Sequence, residues 1–321
     1  MRRYLPSAPA VTLHYGTHVK LGHVFEVTRR GGAYTVHYNR GPDGYDVTTA
    51  TWRIGAAIYW LEGVDGDFER LTFDLSDGQM PGDITFRPSS NDPAAVLLPD
   101  GQFFEHRGFE EIRDIAPSHS RRWEERSARL VWRGSNTGEG VLPGDDPDPF
   151  DPALPQRLRM VLLMRGCPDA DVAFSANVRE PEWDAPMDRL GLLGGFIDQP
   201  EWGASKFALN VDGNSNAWIN PLAKMHLGCC LINVESDRGY RQWWHERWRP
   251  WEHYVPVRPD MSDLLEKVAW ARENDAEAGR IAASGTALAR SITFEGETAW
   301  AARRIAGVIG APLRAGRGAG G

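Results

Sequence analysis

The feature that most constrains this chain is the alternation of short apolar runs with helix-type segments in its second half. Apolar runs at residues 130–132, 207–211 and 229–234 each end in glycine or in polar turn residues. Helix formers occupy residues 220–227, and three further helices are predicted after an N-cap at Ser262. Strands that alternate with helices predict βα units and a mainly parallel sheet. Additional strands are predicted at residues 71–75, 160–164, 172–174 and 253–257.

Length and composition limit the number of domains and the class of partner. The chain has 321 residues, of which 41% are hydrophobic and 25% are charged. At roughly 150 residues per domain this predicts two domains with sizeable cores. The formal net charge of −8 argues against a broadly cationic protein that binds nucleic acid.

The sequence also indicates a cellular setting. No stretch approaches the roughly 20 apolar residues that span a bilayer. No apolar run follows Arg2 and Arg3, so a secretory signal is not expected. The three cysteines, two of them adjacent, form neither a disulfide framework nor a zinc-binding spacing. We therefore expect a cytoplasmic protein.

A polar turn with glycine follows the first apolar run. A glycine allows close approach of the backbone, hydroxyl and N–H groups hold phosphate oxygens, and an arginine supplies charge. An ordinary strand-to-loop turn has the same pattern, so this motif alone does not decide the function. The turn contains Arg133, Gly134, Ser135 and Thr137.

Polar side chains also follow the next two apolar runs. In open α/β sheets, ligands bind at the carboxyl ends of the strands, and a carboxylate there can accept both hydroxyls of a ribose. Asx turns and an exposed acid at a strand end give the same residues without a ligand. The residues are Asp212, Gly213, Asn214 and Ser215 after the second run, and Glu235 and Ser236 after the third.

Other catalytic motifs are absent from the sequence, and a bound metal is not expected. Two Asp-x-Asp patterns occur, at Asp146 and Asp148 and at Asp169 and Asp171, but neither follows one of the strands that end in glycine or polar turns. The nine histidines show no zinc-ligand spacing. Neither a nucleophile elbow nor a Walker phosphate loop is present.

The order of three motifs closely resembles glycosyltransferase family 90. The first block, at residues 130–138, reads LVWRGSNTG. The second, at residues 206–236, reads KFALNVDGNSNAWINPLAKMHLGCCLINVES. The third begins WWHERWRPWEHYVPVRPDMSDLLEK and extends over residues 243–285. The resemblance covers residues 120–290 well and the preceding residues weakly.

The resemblance implies an α/β fold of the glycosyltransferase-B type, with two Rossmann-like domains facing a cleft. It implies an N-terminal acceptor-side domain at residues 1–125 and a nucleotide-sugar-binding domain at residues 126–292. A helix at residues 293–312 would return to the first domain, and residues 313–321 are expected to be a disordered tail. Family members use UDP-sugars, chiefly of glucose or xylose, and invert the anomeric centre without a required metal.

The same resemblance assigns roles to individual residues. Asp77 matches the family's general base, and Asp74 is its competitor within the preceding strand. One departure stands out, because many relatives carry an arginine where this chain has Ile219, and Lys224 or Arg133 would then supply the missing charge. The donor-binding residues implied are Arg133, Gly134, Ser135, Thr137, Arg157, Asp212, Gly213, Asn214, Ser215, Lys224, Glu235 and Ser236.

The expected partners are a UDP-sugar and a glycan or lipid-linked glycan. Bacterial relatives labelled as lipopolysaccharide-modifying make a lipopolysaccharide or capsule precursor the expected acceptor. Such a precursor lies at the inner membrane face, which allows peripheral membrane contact through Arg241, Arg247 and Arg249. Two alternatives stay open at this stage, a glycoside hydrolase with paired carboxylates and a non-catalytic carbohydrate-binding protein.

Overall fold

A computed structural model describes residues 9–15, 23–38, 47–175 and 184–314. The chain is a mixed α/β protein, which confirms the predicted class. It divides into two compact units. Unit 1 comprises residues 1–108, 240–243 and 292–321, and unit 2 comprises residues 109–239 and 244–291.

The helices and strands of both units follow one another along the chain. They are β1 (Val11–Tyr15), β2 (Val24–Arg30), β3 (Ala33–Tyr38), α1 (Val47–Leu61), β4 (Phe68–Asp74), α2 (Gly101–Glu105), α3 (Glu110–His119), β5 (Ser127–Gly134), α4 (Gln156–Met164), β6 (Ala170–Phe174), α5 (Asp184–Arg189), β7 (Ser205–Asn210), α6 (Asn220–His226), β8 (Cys230–Val234), β9 (Val255–Val257), α7 (Leu264–Glu273), α8 (Asp275–Ser291) and α9 (Phe294–Ile309).

Unit 1 contains a four-stranded sheet in the order β1-β3-β2-β4. Strand β1 pairs with β3 in parallel, whereas β2 pairs antiparallel with both β3 and β4. Gly31 and Gly32 both have positive φ and turn the chain between β2 and β3. The parallel, Rossmann-like topology predicted for both halves is therefore not the topology of this sheet.

An aromatic core holds the end of the chain in unit 1. Phe294, the first residue of α9, has its ring centroid 5.8 Å from that of Trp60 on α1 and 6.1 Å from that of Phe103 on α2. Arg314 then pairs with Glu62 at 2.7 Å. The predicted tail at residues 313–321 thus begins with a bonded residue, and residues 315–321 lie outside the described part.

The boundary of unit 1 differs from the sequence-based one. The first segment of unit 1 ends at Gly108, whereas the predicted first domain extends to residue 125. Helix α3 belongs to unit 2, where the backbone oxygen of His119 would lie 2.5 Å from a Cβ placed on Gly203. This close approach requires a glycine and joins α3 to the segment that precedes β7.

Unit 2 contains a five-stranded sheet in the order β6-β5-β7-β8-β9, with every pair parallel. The first strand of the unit along the chain, β5, lies between β6 and β7. The order of connections therefore reverses between β5 and β7, which makes that edge the topological switch point where ligands bind in open α/β sheets.

Helix α4 corrects one prediction from the sequence. Residues 160–164 were expected to form a strand, but they lie in the second half of α4. Met160, Val161 and Met164 are all buried in the core of unit 2. An apolar run that is buried on several sides has no amphipathic period, so a short buried helix and a buried strand look alike in sequence.

Candidate functional site

Three loops at the carboxyl edge of the parallel sheet hold most of the predicted donor residues. They follow β5 at residues 135–139, β7 at residues 211–216 and β8 at residues 235–238. Strands β5 and β7 flank the switch point, and β8 is the next strand in the sheet. The three stretches, distant in sequence, therefore reach one edge of the sheet.

Arg157 joins the first two of these loops from α4. Its Nε donates to the carbonyl of Asp212 at 3.0 Å, and its Nη1 donates to the carbonyl of Ser135 at 3.0 Å and to Thr137 Oγ1 at 2.8 Å. Burial lowers the pKa of Arg157 to about 10, so it remains a cation at neutral pH. A Cβ on Gly213 would lie 2.9 Å from Arg157 Nη2, so only a glycine fits beside the guanidinium.

The same loops are connected by Asn214 and Arg238. The backbone N–H of Gly138 donates to Asn214 Oδ1 at 3.1 Å. Arg238 Nη2 donates to the carbonyl of Gly213 at 2.9 Å and to that of Asn214 at 2.5 Å. Its Nη1 lies 2.8 Å from Glu139 Oε1. The three strand-end loops therefore form one hydrogen-bonded framework.

Asp212 and Ser236 come together from neighbouring strands. The Ser236 side chain hydrogen-bonds the Asp212 carboxyl. Burial raises the pKa of Asp212 to about 7, against the opposing effect of that hydrogen bond and of the Arg157 charge. Ser215, in the same loop, is fully buried and its Oγ has no hydrogen-bond partner among the described residues. The edge thus carries a carboxyl group that titrates near neutral pH.

Glu235 presents an exposed side chain at the end of β8. Its backbone carbonyl accepts a hydrogen bond from Gln156 Nε2 at 2.9 Å, and its backbone N–H donates to the carbonyl of Val257 at 2.9 Å. Tyr254 lies close enough for the Glu235 charge to add to the effect of burial, which raises the tyrosine pKa to about 12. These bonds fix the backbone of Glu235, while its side chain remains exposed.

Arg133 has partners other than the expected phosphate. Its Nε donates to the carbonyl of Gly195 at 2.8 Å, and its Nη1 donates to the carbonyls of Trp132 and Asp171, both at 2.9 Å. Its Nη2 is 2.5 Å from Asp171 Oδ1. These contacts tie β5 to β6 and use four of the five N–H groups of the guanidinium. They favour a structural role, and the donor-binding role stays a prediction.

Lys224 on α6 is buried, and its ammonium group is bonded within unit 2. Its Nζ donates to the carbonyl of Leu209 at 2.8 Å and lies 4.9 Å from the centre of the Trp202 ring. Burial lowers its pKa to about 7. Since the side chain is 1% exposed, the structure gives no support to the expectation that Lys224 replaces the arginine absent at Ile219.

The predicted base Asp77 and its competitor Asp74 have different surroundings in unit 1. Asp74 is buried, and its Oδ1 accepts from the backbone N–H of Ser76 at 2.7 Å and from Ser76 Oγ at 2.6 Å. Its Oδ2 lies 3.0 Å from Arg87 Nη1. Burial raises the pKa of Asp74 even so. Both oxygens are therefore bonded within the protein.

Asp77 lies three residues further along the loop and remains partly open. Its side chain is 22% exposed, and its Oδ1 lies 3.1 Å from Arg53 Nη2. The following residue, Gly78, has a φ of +92°, and a Cβ there would lie 2.1 Å from the carbonyl oxygen of Ser89. The loop therefore needs a glycine directly after Asp77, and this holds the carboxylate at the turn.

Several residues of these sites are not evident from the sequence motifs. Arg238 and Glu139 lie one or two residues beyond the ends of the blocks, and Gln156 precedes the arginine that the resemblance identifies. Arg53 lies on α1, 24 residues before its partner Asp77. For Arg238 the sequence does contain a signal, because this basic residue follows two acidic residues, Glu235 and Asp237, at the end of β8. Nothing local in the sequence indicates Arg53.

In the described ranges there is no group of three or more His, Cys, Asp or Glu side chains that could hold a metal. Asp171 of the second Asp-x-Asp pattern pairs with Arg129 and Arg133. No described helix is both long enough and apolar enough to cross a bilayer.

Comparison with known proteins identifies relatives of the second half of the chain. The family model for glycosyl transferase family 90 matches residues 198–294. Protein O-glucosyltransferase 3 of Rattus norvegicus is 36% identical over 138 residues, which is 43% of this chain and 26% of the relative. Protein O-glucosyltransferase 2 of Danio rerio is 38% identical over 169 residues, or 53% of this chain and 30% of the relative.

The chain spans about a quarter to a third of these curated relatives and about half of one solved structure that it resembles. The Anabaena protein Alr3699/HepE, solved in complex with UDP and glucose, has a TM-score of 0.37 and 14% identity. That alignment covers 63% of this chain and 52% of the other. The motif-based resemblance is nonetheless confirmed by the family model, which matches residues 198–294 of this chain to glycosyl transferase family 90.

Proposed function

We propose that this protein is a UDP-sugar-dependent glycosyltransferase that inverts the anomeric centre of a glucose- or xylose-type donor. The observation that carries the proposal is the family match, because it spans β7, β8 and their strand-end loops. These loops lie at the switch point or beside it, where nucleotides bind in open α/β sheets. The two O-glucosyltransferase relatives make glucose the first donor to test.

The donor would bind at the strand-end edge of unit 2. Arg157 is a cation fixed between the first two loops by three hydrogen bonds. Its Nη2 has no partner among the described residues and can donate to the diphosphate. The exposed Glu235 can accept the hydroxyls of the ribose. Ser135, Gly213 and Ser215 supply small residues and hydroxyls beside the phosphates.

Asp77 would act as the general base. Direct displacement needs a carboxylate that removes the proton from the acceptor hydroxyl as its oxygen attacks the anomeric carbon. The bond from that carbon to the diphosphate oxygen breaks in the same step, and UDP leaves with the electron pair. Partial exposure of Asp77 supports this role, whereas both oxygens of Asp74 are bonded internally. A fixed cation such as Arg157 stabilises the departing charge.

The acceptor we propose is a lipopolysaccharide or capsule precursor, presented at the cytoplasmic face of a membrane. Arg249 is 69% exposed and suits peripheral contact with an anionic surface. Arg241 donates instead to the carbonyl of Asp92 at 3.1 Å. Arg247 is only partly exposed, so Arg249, the most exposed of the three predicted arginines, is the first candidate for this contact.

Release of UDP from a panel of UDP-sugars tests the proposal. Wild-type protein should release UDP from UDP-glucose or UDP-xylose, faster with a glycan acceptor than without one. Arg157→Gln should lose most of this release, while Arg165→Gln, an exposed arginine just after the same helix, should retain it. Sugar release from a glycan without any nucleotide would indicate a hydrolase. Glycan binding with no turnover would indicate a binding protein.

The reaction we propose needs no metal ion. The charge on the leaving diphosphate would be met by arginine and by backbone N–H groups. Activity should therefore persist in excess EDTA. Loss of turnover in EDTA that manganese restores would contradict this mechanism, while leaving the family assignment intact.

A further inference from the structure

The carboxyl edge of the unit 2 sheet carries an excess of acidic side chains. All three strand-end loops lie in the described part of the chain, and they contain four acidic residues but one arginine, Arg238, to which α4 adds Arg157. A dianionic ligand at this edge needs cations nearby, since like charges repel it. The acidic residues are Glu139, Asp212, Glu235 and Asp237.

Arg238 occupies the position where the three loops meet. Its Nη2 bonds two successive carbonyls of the second loop, Gly213 and Asn214, so that end of the guanidinium is fixed. Its Nη1 pairs with Glu139, which is 73% exposed, whereas Arg238 itself is 24% exposed. An ion pair with so exposed a partner is worth about 1 kcal/mol or less, so another anion can displace the carboxylate at little cost.

We propose that Arg238 binds the diphosphate of the nucleotide donor by exchanging Glu139 for a phosphate oxygen. The bonds to Gly213 and Asn214 remain and aim Nη1 at the ligand, while the Glu139 carboxylate moves into solvent. Glu139 thereby competes with the donor for the same arginine. This inference rests on the proposed function and adds to it a phosphate-binding residue outside the matched motif residues.

Calorimetric titration of UDP and of uridine into the full-length protein and its variants tests the exchange. Arg238→Gln should weaken UDP binding 10- to 100-fold, the scale of one or two charge-assisted hydrogen bonds. Uridine has no phosphate, so its affinity should stay within twofold. Arg122→Gln, which removes an exposed arginine that also pairs with a glutamate, is the matched control and should bind UDP as wild type does.

The Glu139→Gln variant should change UDP affinity in the opposite direction. Removing the competing carboxylate should tighten UDP binding about two- to fivefold, which corresponds to the small strength of an exposed ion pair. Weaker UDP binding in Glu139→Gln would show that the pair only holds the loops together, and would overturn the exchange.

Two further outcomes separate this inference from the proposed function. Equal losses of UDP and uridine affinity in Arg238→Gln would show that the arginine merely shapes the loop, and unchanged UDP affinity would show that it is not used. Either result overturns the inference while wild-type UDP binding upholds the donor site. Absence of UDP binding by the wild-type protein would instead remove the proposed function itself.

Discussion

The candidate sites of the two units are built in different ways. In unit 2, residues of three strand-end loops and of α4 bond to one another at a single edge of the sheet. The most distant of these partners, Glu139 and Arg238, are about 100 residues apart in the sequence. In unit 1, the two candidate carboxylates lie three residues apart, with Asp74 at the end of β4 and Asp77 in the turn that follows. At the edge of a parallel sheet, several residues each contribute a small part of the binding energy, whereas the turn in unit 1 positions one carboxylate. We therefore expect substitutions in the turn to have sharper and more local effects.

The sharpest test of this contrast is Asp77→Asn. The amide keeps the shape of the side chain but cannot accept the proton, and a general base is typically worth 10²- to 10⁴-fold in rate. Turnover should fall by about that factor, while UDP affinity should be unchanged because the proposed donor site lies in unit 2. Steady-state kinetics and calorimetry measure the two quantities.

An exposed aspartate in the same region supplies the control for this variant. Asp83→Asn removes the same charge six residues away and should retain wild-type turnover. Equal losses in both variants would mean that charge in this loop matters in general, and that Asp77 has no special role.

The second test concerns Asp74, whose expected effect is on stability. Asp74→Asn removes one partner of the buried pair with Arg87 and leaves that charge uncompensated. Breaking a buried pair in this way typically costs about 3–5 kcal/mol of unfolding free energy. Urea denaturation should show this loss, whereas Asp77→Asn should unfold close to wild type because its pair with Arg53 is partly exposed. A stable Asp74→Asn protein without turnover would identify Asp74 as the base instead.

The same contrast explains which parts of the fold are predictable from the sequence. Strands β5, β7 and β8 are evident because each is an apolar run ended by a polar turn, and the order of their motifs carries the family resemblance. The sheet of unit 1 depends on pairings such as Val24 with Asp74, 50 residues apart, which no local pattern encodes. The prediction of a parallel topology there failed for that reason.

The site residues, too, were predictable only in part. Residue types at strand ends were predictable, since strand ends in parallel sheets meet at one edge. The direction in which each side chain points was not predictable from the sequence. Arg133 and Lys224 have the right charge and lie near the right elements, but they bond internally to Asp171 and to Leu209. Packing decides such orientations, and a single sequence does not record it.

Arg133→Gln should reveal which role this arginine has. Its side chain is 10% exposed and its guanidinium links β5 to β6. Loss of charge-assisted hydrogen bonds should lower the unfolding free energy by about 1–3 kcal/mol, with UDP affinity unchanged within twofold. Arg129→Gln removes a more exposed partner of the same Asp171 and should cost less. A tenfold loss of UDP affinity at full stability would restore the donor-binding role of Arg133.

The most gradual expected effect is a pH dependence that originates at Asp212 and is spread over several pH units. Burial raises the pKa of this carboxyl in the folded protein to about 7, from an ordinary value near 4. Between these two values the folded state holds a proton that the unfolded state has lost. The contribution to stability is therefore fully present below about pH 4 and is lost as the pH rises through about 7. The slope is at most about 1.4 kcal/mol per pH unit.

Asp212→Asn isolates this contribution, because an amide of the same shape does not titrate. The variant should show a shallower decline of unfolding free energy between pH 5 and 7 than the wild type, and the two profiles should run parallel above about pH 8. UDP binding should follow the same direction, since a protonated Asp212 repels the diphosphate less than a carboxylate does. Wild-type affinity should thus be higher at pH 6 than at pH 8, with a smaller difference in the variant. If wild type and variant have identical pH profiles, Asp212 is already ionised at pH 6 and the strand-end edge is more open to water than its burial indicates.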